Sequence, residues 1–156
     1  ICQKIESGQC NRVHILPAGK HTIKHELFTV EGSGTLIAND FLEDFRRVQT
    51  DEEVAIVFRI LQLYRRSGFL KPRTKHYLNQ HRDRFFVTAI DGIVVGCVEQ
   101  KIIDAHTVEL GALAISTRFR NQRVGVHTVN AFMDLMRSQG FSRFISLTNN
   151  PRLEAL

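Results

Sequence analysis

The sequence predicts an α/β domain built on a mixed, mostly antiparallel sheet flanked by helices. Three observations lead there. Two β-branched and aromatic runs lie either side of Asp91-Gly92 in "RFFVTAIDGIVVGCVEQ", and that dipeptide favours a two-residue hairpin turn. A third apolar run, "HTVELGALAIS", follows at once and extends the antiparallel meander. Helical periodicity then precedes "SRFISL", and a crossover helix makes such a strand parallel to its predecessor.

Each element has its own signal. Residues 1–40 differ in texture from the rest: "RVHIL" reads as a short strand, "AGKHTIKHELF" as a helix and "EGSGT" as a flexible glycine turn, a segment too small to hold a core alone. The boundary falls near "ANDFLEDF", before a strand in "DFRRVQ", so a second unit is expected over 41–156. Thr50 and Glu53 have capping-box spacing at the head of "TDEEVAIVFRILQLYRRSG", and Gly68 ends it. Val54, Ile56, Val57, Ile60, Leu61, Leu63 and Tyr64 cover a broad helical face, as on a helix laid against a sheet. A shorter, more polar helix is expected over Thr74 to His81, and another over Val124 to Ser138 with Gly140 as its stop.

Composition narrows the class. A hydrophobic content of 43% and a charged content of 24% in 156 residues fit one folded domain and exclude a disordered chain. Lys plus Arg number 21 against 16 Asp plus Glu, a net +5 that favours anionic partners without choosing small molecules over polymers. Nucleic acid is only weakly indicated, and the reading adopted has none. Cys2, Cys10 and Cys97 show neither CxxC nor paired Cys/His spacing, so no disulfide framework and no metal site are expected. No apolar run approaches the roughly 20 residues of a membrane span, and no signal-peptide pattern opens the chain. A cytoplasmic protein without a membrane partner is expected, and the chain reads as a piece of something longer.

The most informative run is "ELGALAISTRFRNQRVGVHTV". It leaves a buried strand through a bend with Arg118, Arg120 and Arg123, then enters a helix at Gly125. Helix N-termini offer unpaired N–H groups and partial positive charge, so such a bend suits a phosphate. Taken by spacing alone, a solvated basic turn accounts for it as well. His127, on the first helical turn, is either a further phosphate contact or a packed histidine.

This strand, bend and helix resemble the acetyl-CoA-binding motif of the GNAT N-acetyltransferase superfamily: Arg or Gln, two residues, Gly, one residue, then Gly or Ala. Arg120 and Gly125 occupy its two ends, and Arg123 stands where the first glycine is usual. The resemblance implies the GNAT fold from about Phe45 to Leu156, with the family's last strands missing after the fifth. It implies acetyl-CoA as co-substrate, with its pyrophosphate held by the bend over Arg120, Asn121, Gln122, Arg123, Val124, Gly125 and Val126. The front of the chain, "RVHILPAGKHTIKHELFTVEGSGTLI", resembles the end of the amino-acid-kinase-like domain of bacterial-type N-acetylglutamate synthases. "GFLKPRTKHYL", "DGIVVGCVEQK" and "VELGALAIS" resemble successive parts of their acetyltransferase domain. That resemblance implies L-glutamate as acceptor, a place in arginine biosynthesis, and a homo-oligomer for the full-length protein.

Acetyl transfer to an amine needs a neutral amine, a place for the oxyanion and a proton for the thiolate. By resemblance Glu109 is the base, usually acting through water; a solvated strand edge is its other reading, and Glu99 is the rival base. Backbone amides of Leu113, Ala114 and Ile115 are the expected hold on the thioester arm. Arg73 and Lys101 match basic residues that bind the glutamate carboxylates. The family's tyrosine proton donor would follow "NNPRLEAL" and has no counterpart, while Tyr64 and Tyr77 come too early in the chain. Cys97, in "VVGCV", reads as a buried thiol, so direct attack is expected rather than a covalent intermediate. Two alternatives stay open: a non-catalytic module of this fold binding coenzyme A or an acidic metabolite, and an acetyltransferase with another amine acceptor.

Overall fold

The computed structural model describes residues 1–28, 33–38, 43–68, 70–119 and 123–148. The chain divides into two units, Ile1–Leu42 and Glu43–Leu156. In the first, helix α1 (Cys2–Glu6) precedes strand β1 (Arg12–Ile15), helix α2 (Thr22–Phe28) and strand β2 (Thr35–Ala38). β1 and β2 pair antiparallel, from Arg12 opposite Ala38 to Ile15 opposite Thr35. The sequence reading anticipates neither α1 nor β2. The segment read as a glycine turn delivers the chain into β2, and Gly34 is required there because a Cβ would lie 2.1 Å from the Ile15 carbonyl oxygen. Glu26 ties α2 to β1 and to the residues leading into β2: it pairs with His14 Nδ1 at 2.6 Å and accepts the Ser33 N–H at 2.5 Å. The Ser33 amide and then His14 hold its carboxyl below the usual range. Among the described residues, Ile5 is this unit's one buried hydrophobic, while Ile23 and Leu27 of α2 stand exposed.

The second unit follows the predicted order: strand β3 (Glu43–Arg47), helices α3 (Asp51–Arg66) and α4 (Lys75–Gln80), strands β4 (Phe85–Ile90), β5 (Ile93–Ile102) and β6 (Thr107–Ile115), helix α5 (Val124–Ser138), and strand β7 (Arg143–Ile145). The five strands lie in chain order, antiparallel except for the β6–β7 pair. β4 turns into β5 through Asp91 and Gly92, with φ of +49° and +81°, as a two-residue primed turn demands. The outer strands differ slightly from expectation, with β3 starting at Glu43 and β7 reduced to three residues.

Helices cover both faces of the sheet. On one, Val54, Val57, Ile60 and Leu61 of α3 and Leu78 of α4 pack with Phe85, Val87, Cys97, Ala112 and Ala114. On the other, Phe132 and Met136 of α5 pack with Phe86, Val98, Val108 and Leu110. The first turn of α5 is fixed separately: Val124 packs with Val95 and Ile115, and Thr128 bonds Thr88 on β4 at 2.6 Å. Gly96 makes room for this contact, because a Cβ there would meet Ile115 Cδ1 at 2.6 Å.

The capping box of α3 forms, with both the Glu53 N–H to Thr50 and the return bond present. The same carboxylate accepts Arg46 Nη2 at 2.6 Å and the Gln49 N–H at 2.7 Å. Arg46, then those amides, hold the Glu53 carboxyl below the ordinary value of 4.5. A depressed folded value means stabilisation that is present above the unfolded value and lost as pH falls through the folded one. Glu53→Gln should therefore cost about 1 kcal/mol at pH 7. Urea melts should show that deficit close in acid, and a deficit unchanged at pH 3 would contradict the assignment.

Candidate active site

β5 and β6 carry alternating residues to opposite faces of the sheet. Their register sets Lys101 opposite Glu109 and Glu99 opposite Gly111, which gathers three charged side chains and a glycine on the face covered by α3 and α4. There Glu109 is 9% exposed and its Oε1 accepts Lys101 Nζ at 2.7 Å. Glu99 is fully buried: its Oε2 accepts Arg73 Nε at 2.7 Å and Nη2 at 2.5 Å, and its Oε1 accepts the Tyr77 hydroxyl at 2.7 Å. Burial, and then the bond to Glu99, push the Tyr77 phenol above its usual value, so it stays a neutral donor. Thr74 positions this group, since it caps α4 through the Tyr77 N–H at 3.0 Å and sets the loop that carries Arg73 against the helix that carries Tyr77.

The two candidate bases are thus unlike. Glu99 has both oxygens engaged by three bonds and no exposure, which makes it an anchor. Among the described residues Glu109 has a single side-chain partner, and its side chain is 12% exposed, so it retains acceptor capacity toward a ligand. Gly111 keeps the space beside it open, because a Cβ there would stand 3.2 Å from Lys101 Cε and 3.5 Å from Glu109 Oε1. The two cations expected to grip a substrate, Arg73 and Lys101, each bond a protein carboxylate, and Arg73 is the more committed, with a side chain 11% exposed.

Beyond Glu109 the sheet opens. β7 pairs with β6 from Thr107 opposite Arg143 to Glu109 opposite Ile145, and Ser146 Oγ donates to the Leu110 carbonyl at 3.1 Å. β6 runs on to Ile115, leaving its parallel partner behind among the described residues. Along that stretch a bulge sets Ala112 and Leu113 opposite Val98, with Ala112 at φ +50°. Bulges re-aim peptide groups, and left-handed non-glycine residues cluster at functional sites.

Of the backbone amides expected to hold a thioester arm, the Ile115 N–H donates to the Tyr64 hydroxyl at 3.2 Å. The side chains of Ala114 and Leu113 pack toward opposite faces, with α3 and α5 respectively. At the far end Arg123 is the N-cap of α5, at φ +59°, and makes no capping bond with its side chain. Val124 is buried, Gly125 half-buried and Val126 40% exposed. Arg120, Asn121 and Gln122 lie outside the described residues. His127 pairs with Glu43 Oε2 at 3.0 Å.

Sequence reasoning does not find the partners of two residues, Tyr64 and Tyr77, which the family resemblance sets aside as proton donors because they come too early in the chain. Nothing in the sequence signals their targets, because each reaches a strand more than 20 residues away. Cys97 is fully buried, and burial pushes its thiol up to about 12, which leaves no nucleophilic thiolate near neutral pH. Among the described residues no group of three His, Cys, Asp or Glu side chains is arranged to hold a metal ion. No described helix is long and apolar enough to cross a membrane.

Comparison with known proteins places this geometry. The family model described as "Acetyltransferase (GNAT) family" matches residues 39–156. An amino-acid acetyltransferase of Neisseria meningitidis serogroup A / serotype 4A is 30% identical over 147 residues, covering 92% of this chain and 33% of that protein. One from Pseudomonas fluorescens is 27% identical over 143 residues, covering 90% and 33%. The chain therefore spans about a third of the length of these relatives. Among solved structures, N-acetylglutamate synthase from Neisseria gonorrhoeae, complexed with coenzyme A and N-acetyl-glutamate, matches with a TM-score of 0.69 at 27% identity, over 96% of this chain and 36% of that one. The same synthase with coenzyme A and L-arginine matches at 0.63 and 28% identity, over 98% and 35%. With that family model matching residues 39–156, most of its length, the chain belongs to the acetyltransferase (GNAT) family.

Proposed function

We propose that this domain is an amino-acid N-acetyltransferase that moves the acetyl group of acetyl-CoA onto the α-amine of L-glutamate by direct attack. The observation that carries the reading is the fork between β6 and β7: among the described residues, β7 pairs with β6 only as far as Glu109 while β6 runs on to Ile115, against which Val124 at the head of α5 packs. An extended acyl donor fits such a gap with its diphosphate toward the helix terminus, where N–H groups and the helix dipole favour negative charge. Its thioester then comes beside Glu109. The relatives named as amino-acid acetyltransferases and the synthase complexed with coenzyme A and N-acetyl-glutamate support the choice of donor and acceptor.

In this mechanism Glu109 takes a proton from the substrate ammonium, and the neutral amine attacks the thioester carbonyl carbon. Charge developing on the carbonyl oxygen meets backbone N–H groups at the bulge around Leu113. The tetrahedral intermediate, whose nitrogen is cationic after attack, collapses by breaking the C–S bond; the nitrogen gives up its second proton to leave the amide, and the departing thiolate takes up that proton to become the CoA thiol. Lys101 orients Glu109 through the bond to its Oε1 and offers its other N–H donors to an acceptor carboxylate. Arg73 and Tyr77 keep Glu99 buried and fixed, and so hold the strand on which Lys101 sits. The first unit is, on the same reading, the closing part of an amino-acid-kinase-like domain.

Thiol release followed with a chromogenic disulfide tests this directly. Acetyl-CoA with the protein should yield free CoA thiol in proportion to L-glutamate concentration, with saturation. Release independent of glutamate, but dependent on another amine, would replace the acceptor. Saturable CoA binding without release for any amine would favour a module that binds and does not catalyse.

A further inference from the structure

Tyr64, in the last turn of α3, sends its hydroxyl to the end of β6. It donates to the Ile115 carbonyl oxygen at 2.9 Å and accepts the Ile115 N–H at 3.2 Å. Successive residues of a strand direct their peptide groups to opposite edges. The Ser116 N–H bonds Val95 of β5 at 2.7 Å, so the groups of Ile115 face the other edge, the one that β7 has left behind. On that edge one phenol takes both bonds that a neighbouring strand, or any extended chain of amides, would make with residue 115.

The position of this contact matters more than its strength. β6 ends at Ile115 and α5 begins at Val124, so a donor lying along the fork passes Ile115 after its diphosphate and before its thioester reaches Glu109. The pantetheine arm of coenzyme A is an extended chain with two amides, suited to pair with a strand edge. We propose that Tyr64 sets the affinity for the acyl donor by competition: its phenol occupies the edge of β6 at Ile115, and the amide arm gains that edge by displacing it. This rests on the reading of the β6–β7 fork as the donor cleft. The phenol serves the free protein by satisfying two polar groups at an edge that would otherwise be open, and it makes the arm, rather than the nucleotide, meet a competitor.

The test compares CoA with adenosine 3′,5′-bisphosphate, which has no pantetheine arm. Tyr64→Phe removes the competing hydroxyl and should bind CoA about tenfold tighter, with its affinity for the bisphosphate unchanged. A variant that merely loosens the fold would lose affinity for both, and that result, or no change in either, would overturn the proposal. A second measurement needs no substitution at Tyr64. The sequence has two tyrosines and no tryptophan, so ring-labelled tyrosine gives two ζ-carbon resonances, assigned by the loss of one in Tyr77→Phe. The Tyr64 resonance should move when CoA saturates the unsubstituted protein and stay in place with the bisphosphate. If CoA binds and that resonance does not move, Tyr64 has no such role although the donor cleft stands. If neither compound binds, the cleft reading fails and this inference falls with it.

Discussion

Replacing Glu109 by Gln is expected to lower turnover by about a hundredfold to a thousandfold while leaving CoA affinity unchanged. The amide keeps the shape of the side chain and removes its ability to accept the amine proton. Among the described residues Glu109 is the carboxylate of the site with capacity to spare, bonded by Lys101 alone, whereas Glu99 is saturated by Arg73 and Tyr77. Stopped-flow thiol release at saturating acetyl-CoA and glutamate reads the chemical step. Turnover within twofold of the unsubstituted protein would remove Glu109 as the base and return the role to water or to a group outside the described residues.

Arg73→Met should destabilise the second unit by about 3–5 kcal/mol, because a fully buried carboxylate would lose its charged partner and keep a single neutral donor. That is a large part of the roughly 5–15 kcal/mol by which a domain is stable. Arg73→Met with Glu99→Gln should recover most of the loss, since a neutral amide in that place no longer needs a cation. The sequence reading predicts something different for Arg73, a raised glutamate requirement with the fold intact. Urea melts of the single and double variants separate the two. If the single variant melts within 1 kcal/mol of the parent and only the glutamate KM rises, Arg73 belongs to the acceptor pocket and its bonds to Glu99 are incidental.

What was legible in the sequence was local. The Asp91-Gly92 turn specified the β4–β5 hairpin because only a primed turn matches strand twist, and its two positive φ values follow. Thr50 and Glu53 fixed the start of α3 through bonds three residues apart, and the limits of α5 came out as read, at Val124 and Ser138. The crossover rule made β7 parallel without any distant contact being known. The first unit was less legible, because β2 depends on pairing with β1 across more than 20 residues and its approach hinges on one missing Cβ at Gly34.

At the site the residue types could be named in advance and their partners could not. Glu99, Glu109, Arg73 and Lys101 were all singled out, yet nothing in their spacing says that the register of β5 against β6 joins Lys101 to Glu109 and leaves Glu99 to Arg73. A bulge shifts that register by one residue, and one residue decides which face a side chain takes. Tyr64 illustrates the same limit. Its place on the apolar face of α3 was read from periodicity, but the destination of its hydroxyl is set by where β6 ends.

The central claim is that the donor lies in the β6–β7 fork with its diphosphate at the first turn of α5 and its thioester beside Glu109. A crystal structure of the protein with CoA tests it most directly. The account predicts phosphate oxygens within hydrogen-bond distance of backbone N–H groups around Gly125 and Val126, and the thiol on the Glu109 side of Ile115. A diphosphate bound elsewhere, or a fork filled by protein side chains with CoA lying on another face, would contradict it.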